Sequence, residues 1–105
     1  MLNSNIYKLG NSEYIMVTRY DVFELVYKTG LLRPKEIVEK LGKTEKDYKN
    51  VYRILTELEN EKLLFKKEEH FGAKKEGKAK ALYEIILYCL GNNVNYNLLL
   101  DRNLM

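Results

Sequence analysis

The sequence predicts a single α+β domain in which three helices are followed by a β-hairpin. Three observations lead to that class. Residues 44–64 (TEKDYKNVYRILTELENEKLL) carry one uninterrupted helical pattern, with no Gly or Pro inside it. Two shorter apolar-periodic stretches precede it, each closed by a glycine, Gly30 and Gly42. After it come two runs that read as strands, 63–71 and 82–90, around a small basic segment with two glycines.

Taken in order, residues 1–13 hold Asn, Ser and Gly without clear periodicity and read as an irregular arm. Tyr14–Val17 fits either a short strand or the first turn of the next helix. Thr18 with Asp21 three residues on resembles a capping box. Val22, Phe23, Val26 and Tyr27 then form the apolar stripe of the first helix, ending at Gly30. Pro34 suits the first helical position of a short second helix, PKEIVEK, whose apolar face is Ile37, Val38 and Leu41. Only Lys43 separates Gly42 from the next cap, Thr44 with Asp47, so the second and third helices must turn sharply on each other.

In the third helix Val51, Leu55, Leu58 and Lys62 lie at helical spacing, with Tyr48 and Ile54 flanking the stripe. Its other face begins basic, with Lys46, Lys49, Asn50 and Arg53, and turns acidic at Glu57, Glu59 and Glu61. Basic side chains and the positive end of the helix dipole both favour a phosphate at the N-terminal end. The plain alternative is an amphipathic helix with a solvated charged face. Leu63–Phe71 and Leu82–Leu90 are expected to be the two strands of the hairpin, and 72–81 (GAKKEGKAKA) its long basic tip. Residues 91–97 read as an Asn-rich loop, and 98–105 as a short terminal helix. The expected organisation is an arm at 1–17, the domain at 18–90 and an extension at 91–105.

With 105 residues, the chain has room for one modest core. No apolar run approaches the roughly 18 residues that span a bilayer, and the N-terminus lacks a secretory pattern. A cytoplasmic setting without membrane contact is expected. Cys89 is the only cysteine, so no intrachain disulfide forms, and it sits in the apolar run IILYCL as a small hydrophobe. One His and one Cys cannot furnish a thiolate–imidazole metal site, and no metal or cofactor is expected. His70 is read as a lone structural or exposed histidine. The absence of a nucleophile–base pair or a Gly-rich phosphate loop argues against an enzyme. A net charge of +3 is mild, so the distribution of charge matters more than its sum.

RPKEIVEKLG and VYRILTELENEKLLFKKE give the order of elements a more specific look. The chain resembles winged helix-turn-helix DNA-binding proteins, namely the DNA-binding domains of MarR-like, ArsR-like and ferric-uptake-regulator repressors. Val51, Tyr52, Arg53, Leu55, Leu58, Glu59, Leu63 and Leu64 match their third-helix pattern, and Lys62 stands where those families commonly have Gly. A few extra residues lie between Gly42 and Val51, so the turn must be remodelled. The resemblance covers about residues 18–90 and implies double-stranded DNA as partner, without the metal-sensing parts.

By that resemblance the third helix enters the major groove, and Lys46, Tyr48, Lys49, Asn50, Tyr52 and Arg53 face DNA. Arg53 could read guanine bidentately, Asn50 could read adenine, and Tyr52 could donate to a phosphate. Tyr48 and Tyr52 could instead be partly buried against the first helix. Lys74, Lys75, Lys78 and Lys80 are expected on the wing, against phosphates or the minor groove; a lysine-rich loop also blunts a hairpin edge in ordinary proteins. The expected function is a sequence-specific transcriptional regulator. It would act as a homodimer, with apolar surface from Tyr7, Leu9, Tyr14 and Ile15 and from residues 96–104. The rival readings are a non-specific architectural or partition protein, and a winged helix used for protein contacts.

Overall fold

The computed structural model describes residues 6–9, 12–15 and 17–103, with side chains from 17 to 100. Its elements are β1 (Ile6–Leu9), β2 (Ser12–Ile15), α1 (Arg19–Thr29), α2 (Pro34–Lys40) and α3 (Tyr48–Asn60, preceded by a 3₁₀ turn at Glu45–Asp47). After them come β3 (Leu64–Lys67), β4 (His70–Ala73), α4 (Gly77–Gly91) and α5 (Tyr96–Asn103). Three helices followed by an antiparallel hairpin is the predicted order, and the fold is α+β.

The predicted helix starts are built as expected. Thr18 accepts the Asp21 backbone N–H at 3.2 Å, and Pro34 opens α2. Thr44 and Asp47 form a reciprocal capping box, which caps the added 3₁₀ turn rather than α3 itself. The residues in excess between Gly42 and Val51 are accommodated in that turn. Helix α2 ends in a Schellman motif: Lys43 N–H donates to the Val38 carbonyl and Gly42 N–H to that of Glu39, with Gly42 at φ 72°. Helix α3 ends the same way, through Leu63 N–H to Leu58 and Lys62 N–H to Glu59. Here Lys62 takes the left-handed position, at φ 67°. The place where the resembling families carry Gly does require a positive φ, and this chain meets it with a lysine.

The core is formed by Phe23 and Val26 of α1, Ile37 of α2, Val51, Leu55 and Leu58 of α3, Leu64 and Phe71 of the hairpin, and Ile86 of α4, all fully buried. The link after α1 joins the hairpin: Leu32 and Phe71 exchange backbone hydrogen bonds at 3.0 and 2.7 Å. Leu32 thus adds a one-residue third strand beside β4, which ties the hairpin to the α1–α2 connection.

Two parts differ from the sequence reading. The hairpin is complete within 64–73: Leu64 pairs with Ala73 and Lys67 with His70, leaving a two-residue loop, Glu68-Glu69. Glu68 sits at φ 58°, the positive value that tight hairpin turns demand and that Gly or Asn usually supplies. The expected strand 63–71 therefore contains β3, the turn and the first two residues of β4. The expected returning strand 82–90 is instead the body of α4, and 72–81 is no hairpin tip. Ala79, Leu82, Tyr83, Ile86 and Cys89 recur at helical spacing and turn inward, so the 3.6-residue period governs this stretch. In the arm, where no strand was expected before Tyr14, β1 pairs antiparallel with β2, Ile6 opposite Ile15. The side chains of Tyr7, Leu9, Tyr14 and Ile15 lie outside the described ones.

Helix α5 docks on α1 through a polar cluster. The Tyr96 hydroxyl donates to Asp21 Oδ1 at 2.6 Å, and the Asn97 amide lies 3.4 Å from the same oxygen. Thr18 Oγ1 donates to Asn97 Oδ1 at 2.9 Å, and Leu100 is buried beside them. Burial, and then the Asp21 carboxylate, push the Tyr96 phenol well above its ordinary pKa. Part of the surface expected to serve a dimer, Tyr96 and Leu100, is thus consumed within the chain. Among the described residues no helix is long and apolar enough to cross a membrane.

Candidate nucleic-acid interface

Helix α3 divides cleanly. Val51, Ile54, Leu55 and Leu58 are buried, and the opposite ridge carries Lys49, Arg53, Thr56 and Asn60 at i, i+4, i+7 and i+11. Lys46 of the 3₁₀ turn stands exposed before it. Tyr48 and Tyr52, 40 % and 37 % exposed, lie on the flank toward the hairpin with ring centroids 6.3 Å apart. Both are thus partly covered, and the ring that meets Tyr52 is Phe71 of the hairpin.

Arg53 is held by its own helix. One guanidinium nitrogen bonds Glu57 Oε2 at 2.6 Å and the other bonds Asn50 Oδ1 at 2.6 Å. While Asn50 accepts from Arg53, one of the two lone pairs of its carbonyl oxygen is committed, and bidentate readout of adenine would have to share that oxygen. The two expected base readers are therefore joined to each other, and a base edge would compete with that pairing for Arg53 donors and for the Asn50 carbonyl.

The hairpin contributes a residue that the sequence reading missed. Lys66 Nζ donates to the Tyr52 hydroxyl at 3.1 Å and lies 5.6 Å from the ring centroids of both Tyr52 and Phe71. The Tyr52 hydroxyl stabilises the ammonium and raises the Lys66 pKa. Tyr52 also meets buried Phe71 edge-on, centroids 6.2 Å apart. Pro34, Tyr48, Tyr52, Lys66, Glu69 and Phe71 line a shallow cleft of about 210 Å³. Since Tyr52 accepts from Lys66, its own O–H is directed elsewhere. An oxyanion in the cleft can then take one hydrogen from Tyr52 and another from Lys66, against repulsion by the Glu69 carboxylate that lines the same cleft. The alternation of LFKK would have placed Lys66 on the face of Leu64, had the hairpin been recognised at 64–73.

The lysines expected on the wing are elsewhere. Lys75 Nζ lies 3.8 Å from the ring centroid of Tyr27, donates to the Tyr27 carbonyl, and caps a stack in which Tyr27 and Tyr83 lie 3.9 Å apart at 12°. Lys78 Nζ donates to the Glu61 carbonyl at 3.1 Å, at the C-terminal end of α3. Lys74 is half-buried with its N–H on the Leu63 carbonyl, and Lys80 is exposed on α4. Lys78 is thus separated from Lys46 and Lys49 by about 20 Å, the length of α3. The structure brings Lys46, Tyr48, Lys49, Asn50, Tyr52 and Arg53 together and sets Lys74, Lys75, Lys78 and Lys80 apart from them.

Charge at the hairpin tip is acidic, from Glu68 and Glu69, with Lys66 and Lys67 behind it. Arg19 and Glu61 form an ion pair that joins the start of α1 to the end of α3. Hydrogen bonding between them raises the Arg19 pKa and lowers that of Glu61. Cys89 is buried, and burial raises its thiol pKa, so it packs as a hydrophobe. Among the described residues no three His, Cys, Asp or Glu side chains are grouped to hold a metal ion. Compared with protein-family models, with curated proteins and with solved structures, the chain matches none.

Proposed function

We propose that this chain is a winged-helix protein that binds double-stranded DNA and acts as a transcriptional regulator. The observation that carries the reading is the exposed ridge of α3, where Lys46, Lys49 and Arg53 stand free of the core beside the Tyr52–Lys66 pair. A helix whose buried face is wholly apolar and whose outer N-terminal half is basic can lie in the major groove without disturbing its own packing. Lys46 and Lys49 then neutralise flanking phosphates, and Tyr52 with Lys66 takes a third on the hairpin side. Arg53 reads guanine by exchanging Glu57 or Asn50 for a base edge.

The test is selection from a random-sequence duplex library, followed by titration of selected and unselected DNA against salt. Lys49→Ala and Lys66→Ala should each reduce the salt slope by about 0.9, and Arg53→Ala should abolish enrichment of the selected site. Binding without enrichment would favour an architectural or partition protein, a reading supported by the mutual pairing of Arg53 and Asn50. Absence of binding at low salt would refute DNA as the partner. A protein-contact module would then be favoured, in keeping with the Glu68-Glu69 tip that phosphates would repel.

A further inference from the structure

The hairpin has two faces, and only one of them is covered. Leu64, Phe71 and Ala73 turn into the core, and Lys66 turns to Tyr52 of α3. The alternate residues of β3 and β4 point away from α3, and so do Leu31 and Arg33 on either side of the Leu32–Phe71 bridge. Extending the two registers sets Leu31, Gly72 and Phe65 in one row across the sheet, and Arg33, His70 and Lys67 in the next. The first row is apolar and open to solvent, with Leu31 49 % and Phe65 38 % exposed. A Cβ on Gly72 would lie 2.7 Å from Phe65 Cζ and 2.9 Å from Leu31 Cδ2, so the two side chains close over the glycine as one patch. The second row is basic, and His70 adds a ring N–H donor between Arg33 and Lys67. On the other side of the patch stands Lys74, two residues beyond Gly72, with its N–H continuing the ladder to the Leu63 carbonyl. Among the described residues neither Arg33, Lys67 nor Lys74 is held in an ion pair.

We propose that this outer face of the hairpin docks an extended acidic segment of another protein, with an apolar side chain over Leu31 and Phe65 and a carboxylate two residues away on either side. Side chains at i and i+2 of an extended chain share a face and lie about 6.8 Å apart, which is also the spacing of successive rows on the sheet beneath. A peptide running along the strands therefore presents acid, apolar and acid in register with the Arg33–His70–Lys67 row, the Leu31–Phe65 patch and Lys74. Charge complementarity selects this occupant, because basic groups stand on both sides of the apolar patch. Two carboxylates bound the basic row: Glu36, which accepts the Arg33 backbone N–H at 2.8 Å, and Glu68, next to Lys67 at the hairpin tip. A phosphate chain following the row would meet both, whereas a single peptide carboxylate sits between them at His70. A nucleic-acid strand running the other way would need rings to stack its bases, and Phe65 is the one ring in the patch. This face is turned away from the ridge of α3, so the docking does not depend on what α3 binds.

Titration of the nitrogen-15-labelled full chain with an acetylated heptapeptide tests it. The peptide carries glutamate, leucine and glutamate at alternate positions and serine elsewhere, and a second peptide of the same composition has its glutamates side by side. Amide resonances of residues 31–33, 65–67 and 70–74 should shift with a Kd of about 1 mM or below, and those of 49–53 should not. The permuted peptide should bind about fivefold more weakly, since one of its carboxylates no longer meets a basic group. Lys67→Glu should weaken the alternating peptide about 10-fold, and Phe65→Ser by a similar factor, with the amide spectrum unchanged away from the hairpin. Lys80→Glu, the same change of charge on exposed α4, should leave binding unaltered. Absence of shifts on the outer face, equal binding of the permuted peptide, or an affinity unmoved by Lys67→Glu would overturn the proposal. So would a single-stranded oligonucleotide that shifts these resonances and displaces the peptide, because the face would then belong to nucleic acid. A chain that binds the peptide but no duplex would refute the DNA reading and leave this docking standing.

Discussion

Replacing Lys75 separates two placements of the same lysine: on a wing against DNA, or on the back of the domain against Tyr27. Its ammonium lies 3.8 Å from the Tyr27 ring centroid and also donates to the Tyr27 carbonyl. The ring it covers is stacked on Tyr83 of α4, so Lys75 closes a three-layer contact between α1 and the segment leading into α4. An exposed cation–π contact contributes about 0.5–1 kcal/mol, and the hydrogen bond adds a few tenths in solvent. Lys75→Ala should therefore destabilise the chain by about 1 kcal/mol, lowering Tm by about 4–8 °C in a domain of this size. Urea unfolding reads the first quantity and a thermal melt the second. Lys75→Met, which keeps the stem and removes the charge, should lose most of the same amount. In duplex titrations against salt, Lys75→Ala should leave the slope unchanged, while Lys49→Ala lowers it by about 0.9. Unaltered stability together with a reduced slope in Lys75→Ala would refute the placement.

Three further outcomes follow from single contacts. Lys62 holds φ 67° at the end of α3, so Lys62→Gly should raise stability by about 0.5–1 kcal/mol in urea unfolding, relief of left-handed strain outweighing the added freedom of the unfolded chain. Tyr96→Phe removes the hydroxyl that donates to Asp21 at 2.6 Å and should cost about 1.5 kcal/mol, seen in the same assay as an earlier transition. Glu61, hydrogen-bonded to Arg19, has its pKa lowered below 4.5 in the folded chain. The unfolded chain therefore takes up that proton first. The stabilisation is present above the ordinary glutamate pKa and disappears as pH falls through the lowered folded value. Because the Glu61 side chain is 41 % exposed the effect is small, about 0.5 kcal/mol or less. It should be absent in Glu61→Gln when unfolding is compared at pH 7 and pH 3.

Where the structure follows the sequence reading, the causes are local. Thr18 and Asp21, Pro34, Gly42 and the Thr44–Asp47 box act within four residues of themselves, and the stripe Val51, Leu55, Leu58 needs only the helical period to be recognised. The basic ridge of α3 was legible for the same reason, since i and i+4 residues share a face in any helix. The N-terminal strand β1 and the hairpin turn were not. Glu68-Glu69 lacks the Gly or Asn that marks a tight turn, and Glu68 adopts φ 58° because Leu64, Phe71 and the Leu32–Phe71 bridge fasten both strands to the core.

The stretch 82–90 shows the limit most directly. LYEIILYCL satisfies a buried strand and a helix about equally by composition, and nine residues with one charge, Glu84, do not decide between them. What decides is packing: only a helix brings Ala79, Leu82, Tyr83, Ile86 and Cys89 inward together, with Tyr83 on Tyr27. The same choice carried Lys75 and Lys78 away from the hairpin and turned Ile85 and Tyr88 outward. The sequence by itself determined the three helices, their caps and the basic face of α3, because each depends on neighbours within a turn or two. Tertiary structure alone decided the hairpin's position, the helical state of α4 and the company each lysine keeps, because those energies come from contacts between residues far apart in the chain.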